Sequence, residues 1–159
     1  MSKNDIVKFM KKAIRLSIAN VEKGNGGPFG AVIVKDGKVI ARGVNNVTST
    51  NDPTAHAEVV AIRDACKNLD TFQLDNCEVY TTCEPCPMCL GAIYWARPKI
   101  IYYANNREDA ATIGFDDSMI YQEMSANLDE RKIPIVCLGR EQAIKIFEEW
   151  KAKEDKTSY

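Results

Sequence analysis

The fold depends most on residues 78–104, which read EVYTTCEPCPMCLGAIYWARPKIIYYA. The apolar and β-branched residues at 78–82 and at 99–104 predict two strands. Between them, Cys86 is followed by Pro87, and proline is favoured at the first helical position because its missing N–H costs nothing there. We therefore expect a strand, a helix that begins at Pro87, and a second strand in succession.

Strands and helices alternate through the rest of the chain as well. Apolar side chains at helical spacing predict an amphipathic first helix over residues 6–21. Residues 29–35 and 38–42 predict a hairpin, because Asp36-Gly37 between them is a strong two-residue turn signal. The pattern also predicts a helix at 55–68, a last strand at 133–137 and a last helix at 141–153. Together these elements predict an α/β fold in which helices cover both faces of a mixed sheet of about five strands.

Length and composition indicate one globular domain spanning residues 1–159. Hydrophobic residues make up 45% of the chain and charged residues 27%, as in ordinary folded proteins. Met1 to Asp5 leads directly into the first helix, and no apolar run approaches the ~18 residues of a membrane span. We therefore expect neither signal peptide nor anchor, a cytoplasmic location, and six cysteines that stay reduced.

The charge balance argues against a nucleic-acid ligand. The formal net charge is −1, so the chain has no general positive field of the kind that gathers a phosphate backbone. A local basic patch remains possible on the first helix, which carries Lys8, Lys11, Lys12 and Arg15, but a solvated helix face is the preferred explanation. A small neutral substrate fits the composition better.

Three potential metal ligands stand in two short motifs. His56 is the only histidine of the chain, and it lies within TAHAE at 54–58. Cys86 and Cys89 lie three residues apart on the predicted helix, so both sulfurs can reach one ion. One imidazole and two thiolates occupy three positions of a tetrahedral zinc and leave the fourth for water, as in catalytic zinc sites.

Glu58 is the candidate base beside that ion. Residues two apart in a regular helix point about 200° away from each other, so His56 and Glu58 should not share one helix face. We expect both to lie in the first turn, with His56 binding zinc and Glu58 reaching over the water.

Because of Cys83, two alternatives to a catalytic zinc site remain, which are an iron–sulfur cluster and a structural zinc site. With Cys86 and Cys89, Cys83 forms a run like the start of a ferredoxin cluster motif, but that motif needs a further cysteine at the position of Ile93. Cys83 could also supply a fourth zinc ligand, which would close the site and make it purely structural. The other cysteines, which are Cys66, Cys77 and Cys137, are expected in the core.

A histidine, a glutamate two residues later and a Pro-Cys-x-x-Cys motif form the signature of zinc deaminases that act on nucleobases. Through these residues the chain resembles the cytidine-deaminase-like superfamily, and over nearly its whole length it is most similar to the small bacterial guanine deaminases. The stretches that carry the second resemblance are 26–31, 45–46, 51–53, 90–98, 114–117 and the terminal Tyr159. The resemblance implies a three-layer α/β/α sandwich with a mixed five-stranded sheet.

The resemblance also implies an activity and a role for individual residues. The activity is hydrolytic deamination of guanine to xanthine and ammonia, with one zinc ion per subunit. Asp117 would contact the ring and assist proton transfer, and Tyr159 would complete a site in a neighbouring subunit of a homodimer that exchanges its C-terminal segment. The implied zinc ligands are His56, Cys86 and Cys89, the implied proton carrier is Glu58, and the implied substrate-binding residues are Asn45, Phe29, Ala57, Trp95 and Tyr159.

Other interpretations remain open at this stage. The same metal chemistry would serve a deaminase of cytosine, guanosine or a triazine, or, less in keeping with the charge, a tRNA adenosine deaminase. The residues alone also allow plainer roles, which are core packing for Phe29 and Trp95, a helix cap for Asp117, a turn for Asn45 and a frayed end for Tyr159.

Overall fold

The structure is a computed structural model, and it describes residues 2–158. The described chain divides into two compact units with the boundary between Asp117 and Ser118. The first unit contains α1 (Lys3–Glu22), β1 (Gly30–Lys35), β2 (Lys38–Val44), α2 (Val47–Thr50), α3 (Ala57–Leu69), β3 (Glu78–Cys83), α4 (Pro87–Ala96), β4 (Ile100–Asn105) and α5 (Arg107–Thr112). The second contains α6 (Ser118–Ser125), a short 3-10 helix (Leu128–Glu130) and α7 (Arg140–Ala152).

The first unit is built on a mixed sheet with the strand order β2-β1-β3-β4. β1 is antiparallel to both β2 and β3, whereas β3 and β4 are parallel. Parallel neighbours need a crossover connection, and α4 provides it. The strand, helix and strand predicted for residues 78–104 are therefore confirmed.

The predicted hairpin is confirmed at the turn between β1 and β2. Asp36 and Gly37 both have positive φ, at 48° and 71°, as a two-residue type I′ turn requires. This turn matches the twist of the two strands. β2 continues to Val44, two residues beyond the predicted end.

Helices cover both faces of the sheet. β1 is buried from Gly30 to Val34, as its continuous apolar run predicts. Val32 packs in one cluster with Phe9 of α1, and Ile33 packs in another with Ala61 of α3. α1 therefore covers one face of the sheet and α3 the other.

The predicted fifth strand at 133–137 is wrong, because the described sheet has four strands. A strand needs a hydrogen-bonded neighbour, and Pro134 lacks the N–H that a ladder would use. The apolar side chains of this segment are largely exposed, up to 80% at Val136. Cys137 is likewise exposed and not in the core, while Cys77 is buried and Cys66 half-buried. The apolar pattern predicted burial that the described single chain does not provide.

The last predicted helix is confirmed as α7, one residue earlier at each end than expected. Among residues 2–158, the helices are either too short or too polar to cross a lipid bilayer.

Candidate active site

The N-terminus of α3 presents His56 and Glu58. His56 is the N-cap and has extended backbone angles, φ −70° and ψ 155°, while Glu58 lies in the first helical turn. Because an N-cap residue is not helical, the 200° separation of a regular helix does not apply to this pair. The expectation that both residues lie at the helix start is confirmed.

Gly43 of β2 determines how closely α3 approaches the sheet. A Cβ atom at this position would lie 1.9 Å from the carbonyl oxygen of Ala57, so only glycine fits. Ala57 itself is fully buried in the core cluster. The first turn of α3 is therefore held directly against the sheet, which fixes His56 and Glu58 relative to the strands.

The N-terminus of α4 presents the two cysteines. Cys86 is the N-cap, Pro87 is the first helical residue, and Cys89 lies in the first turn with only 1% of its surface exposed. Nδ1 of His56 lies 3.5 Å from Sγ of Cys86 and 3.4 Å from Sγ of Cys89. The three ligand atoms all lie within 4.8 Å of one another. The fold therefore brings together residues 30 positions apart in the sequence.

This group has the dimensions of a zinc site. Zn–S bonds of about 2.3 Å and Zn–N bonds of about 2.0 Å at tetrahedral angles place nitrogen and sulfur about 3.5 Å apart. The observed nitrogen–sulfur distances are within about 0.1 Å of that value. Two thiolates and an imidazole are also ligands that zinc prefers.

Cys83 belongs to a different environment. It is buried, and its Sγ lies 3.5 Å from the carbonyl oxygen of Asn106. Within the part of the chain that the structure describes, the metal-binding group has three members, and Cys83 is not one of them. The geometry therefore supports neither a zinc site closed by Cys83 nor a cluster built on Cys83, Cys86 and Cys89. Three ligands leave a tetrahedral ion open at one position.

Electrostatics in the group favour a negative sulfur at Cys86. Hydrogen bonds with Cys89 and His56 lower the pKa of Cys86 to about 4, against the effect of burial. The hydrogen bond with Cys86, burial and the Glu58 carboxylate all raise the pKa of Cys89. The hydrogen bond with Cys86 likewise raises the pKa of His56. Cys86 is also the N-cap of α4, where the helix dipole stabilises an anionic sulfur.

The Glu58 carboxylate is buried beside this group. Only 5% of Glu58 is exposed, and its Oε1 accepts a 2.6 Å hydrogen bond from the hydroxyl of Thr81. Its charge is one of the causes that raise the pKa of Cys89, after the hydrogen bond with Cys86 and burial. Sequence reasoning missed Thr81, because the pairing depends on the register of β3 against α3.

Asn45 lies directly after β2 and is buried. Its Oδ1 accepts from the backbone N–H of Val47 at 3.3 Å, and its carbonyl oxygen accepts from Nδ2 of Asn20 at 2.9 Å. Nδ2 of Asn20 also donates to the carbonyl oxygen of Gly27, while its Oδ1 is buried without a partner among the described residues. Asn20 was missed as well. The sequence feature that could have identified Asn20 is a polar residue on the buried face of α1.

The remaining predicted site residues differ in how far they are buried. Phe29 is half-buried and meets Phe115 edge to face, with ring centroids 4.9 Å apart. Burial, followed by the charge of Cys86, raises the pKa of the half-buried Asp117. Trp95 lies near the end of α4 and is 64% exposed. Tyr159 lies outside the described residues.

Comparisons with known proteins agree with this geometry. Residues 3–105 match the cytidine and deoxycytidylate deaminase zinc-binding region. The chain is 56% identical to the guanine deaminase of Bacillus subtilis over 95% of its length and 97% of that protein. A crystal structure of guanine deaminase from B. subtilis covers 100% of this chain and 99% of its own, with a TM-score of 0.94 and 54% identity. A tRNA-specific adenosine deaminase of Aquifex aeolicus is 42% identical over 66% of this chain and 70% of its own.

The match to the zinc-binding region covers α1 through β4 and includes the metal ligands and Glu58. On that match, and on the likeness that extends over nearly the whole chain, the protein belongs to the cytidine and deoxycytidylate deaminase zinc-binding family.

Proposed function

We propose that this protein is a zinc-dependent hydrolase that deaminates guanine to xanthine and ammonia. The observation that carries the proposal is the group of His56, Cys86 and Cys89 with the buried Glu58 carboxylate beside it. The choice of guanine rests on the 56% identity to a guanine deaminase over 95% of the chain. The relative named as a tRNA deaminase is matched over a smaller part of this chain.

Zinc held by His56, Cys86 and Cys89 would lower the pKa of a water molecule from about 15.7 to about 7 and so supply a nucleophile at neutral pH. Glu58 accepts the proton that the nucleophile releases and passes it to the ring nitrogen. It then takes the proton of the hydroxyl that has been added to the ring carbon and delivers it to the amine, so that the C–N bond breaks, a C=O bond forms and ammonia leaves. Burial keeps bulk water away from the carboxylate, so that these transfers occur between fixed partners.

Asn45 and Phe29 hold the base. The Asn45 side chain has both donor and acceptor groups, which suits the edge of a purine, and its backbone is anchored by Asn20. Phe29, supported edge to face by Phe115, offers an aromatic surface to the ring. The resemblance also assigns substrate binding to Ala57, which follows His56 in the chain and has its side chain in the core cluster. Asp117, whose pKa is raised by burial, contacts the ring and assists proton transfer.

The first test combines metal analysis with a turnover assay. We expect the purified chain to hold about one zinc ion and to convert guanine to xanthine with release of ammonia. A panel of cytosine, guanosine, adenine, a triazine and tRNA should give much lower kcat/KM. Faster turnover of any other member would reassign the substrate, and a zinc-free protein that is fully active would reject the mechanism.

We further propose a homodimer that exchanges its C-terminal segments, so that Trp95 and the partner's Tyr159 meet at one site. Residues 1–159 then form a single deaminase domain. Two features support this arrangement. The second unit exposes large apolar side chains, including Val136, Leu138 and Phe147, and such surfaces usually find a partner. β4 is an edge strand of the described sheet, where a fifth strand can add.

Subunit complementation tests the exchange. Glu58→Gln and Tyr159→Ala are each expected to impair their own homodimer. A mixture assembled from both should recover about one quarter of wild-type activity, because half of the dimers are hybrid and each hybrid has one intact site. Separately prepared homodimers, combined without reassembly, are the control. If the reassembled mixture stays at the activity of that control, Tyr159 does not act across subunits.

A cytoplasmic location is also part of the proposal. All six cysteines are free thiols, two of them in the metal group, and this state is typical of a reducing compartment.

A further inference from the structure

We infer that Thr81 is the positioning residue of Glu58, holding Oε1 of the carboxylate so that Oε2 is the oxygen that carries the proton. The inference rests on the proposed function, because it concerns the proton transfers of deamination. It assigns a role to a residue on the central sheet, outside the motifs that bind the metal.

The hydroxyl of Thr81 lies in an otherwise apolar layer. Thr81 is fully buried on β3, two residues from Val79, which belongs to the core cluster that includes Ala57 and Ala61. A buried hydroxyl needs a hydrogen-bond partner, since leaving it unpaired is costly. Its partner is the Glu58 carboxylate, 23 residues away in the sequence.

The hydrogen bond has the length of a strong charge-assisted bond. The Thr81 hydroxyl donates to Oε1 of Glu58 at 2.6 Å, within the range of about 2.5–2.7 Å for an O–H donor and a carboxylate. An anionic acceptor makes such a bond roughly twice as strong as a neutral one. One oxygen of the Glu58 carboxylate, Oε1, is therefore held by Thr81.

Both ends of this bond are rigid. The backbone of Thr81 is paired with Ala31 on one side and Tyr103 on the other, so the residue sits within the sheet and not at its edge. Threonine is also restricted at χ1, which limits where its hydroxyl can point. Glu58 is fixed in the first turn of α3, which packs tightly against Gly43. The bond thus aligns the carboxylate with the metal ligands.

The two carboxylate oxygens are therefore not equivalent. The hydroxyl of Thr81 engages Oε1 and leaves Oε2 for the transferred proton. An incoming proton forms its O–H bond at Oε2, and passing it to the substrate breaks that same bond and restores the carboxylate. The hydroxyl proton of Thr81 stays on Thr81 throughout, so one proton enters Glu58 and one leaves.

Thr82 provides a matched comparison on the same strand. It is also buried, but its hydroxyl oxygen accepts from the backbone N–H of Gly30 at 3.0 Å. Neighbouring side chains of a strand point to opposite faces, so Thr82 faces away from the α3 layer. Removing its hydroxyl should affect stability and leave proton transfer alone.

The test measures kcat and KM for guanine, together with zinc content and Tm, in the full-length protein. Thr81→Val keeps the shape and removes the donor, and we expect kcat to fall about 10- to 100-fold with KM within about twofold, because only the transition state uses the aligned carboxylate. Thr81→Ser keeps the hydroxyl and should remain within about threefold of wild type. Thr82→Val should lower Tm and keep kcat within about threefold.

Each outcome decides one point. A Thr81→Val enzyme with wild-type kcat overturns the inference, and so does a Thr81→Ser enzyme impaired as strongly as Thr81→Val, because packing would then explain the loss. If Thr81→Val does not fold, Thr81→Ala serves as the second variant without a hydroxyl. Failure of the wild-type protein to deaminate guanine would instead refute the proposed function.

Discussion

Replacing Glu58 by Gln is expected to lower kcat for guanine by about a thousandfold or more while zinc stays bound. General acid–base catalysis by one side chain contributes about 10²- to 10⁴-fold, and Glu58 serves more than one transfer in the proposed reaction. Glutamine has nearly the same shape, and its amide oxygen can still accept from Thr81. It cannot accept or release a proton at neutral pH. The substitution therefore removes proton transfer and preserves the shape of the side chain and its hydrogen bond with Thr81.

Glu78→Gln is the matched control for this experiment. Glu78 lies on β3 like Thr81, and its carboxylate accepts a 2.7 Å hydrogen bond from the hydroxyl of Tyr80. It thus resembles Glu58 in its local bonding but lies outside the metal group. The control should keep kcat within about twofold, since half-exposed hydrogen bonds contribute little beyond stability. If Glu58→Gln binds zinc fully and turns over guanine at a near-normal rate, Glu58 is not the proton carrier.

The metal group could be predicted because the geometry of each of its two motifs depends on residues that are close together in the sequence. Two cysteines three residues apart at a helix start reach one ion whatever the remaining fold does, and Pro87 makes that helix start visible in the sequence. His56 at the N-cap is an equally local feature. That the two ends meet is a property of the whole fold, and it was anticipated only through the resemblance to deaminases.

Thr81 and Asn20 show what local patterns do not reveal. Thr81 reaches Glu58 only because strand register and helix position place them face to face. Asn20 donates to the carbonyl oxygens of Gly27 and Asn45, residues in two separate segments of the chain. No short motif contains either pairing. Both residues hold other site residues in position, and the packing of the whole fold determines which residues they contact.

The error at residues 133–137 has a different cause. Apolar periodicity shows that a segment requires burial, but it does not show what buries it. The same pattern arises for a strand of a chain's own sheet and for one that pairs with another subunit. The described chain leaves Val136 and Leu138 exposed, which is why subunit exchange is the proposal most directly tied to this error.

Replacing Cys89 by Ala is expected to remove zinc and, with it, guanine turnover. Cys89 is almost fully buried, and its Sγ lies 3.4 Å from Nδ1 of His56. Loss of residues that only support ligands already costs about 10- to 100-fold in metal affinity, so loss of a thiolate ligand should cost more. Zinc per chain, measured after dialysis against a weak chelator, should fall close to zero, and kcat/KM should fall by the same proportion.

Cys83→Ala is the control that separates an open site from a closed one. Cys83 is also buried and lies three residues before Cys86, but its Sγ contacts the carbonyl oxygen of Asn106. We expect this variant to lose some stability through the small cavity and to keep both zinc and activity within about twofold. If Cys83→Ala loses zinc as Cys89→Ala does, Cys83 is a fourth ligand. Four protein ligands would leave a tetrahedral ion no position for water, and the hydrolytic mechanism would fail.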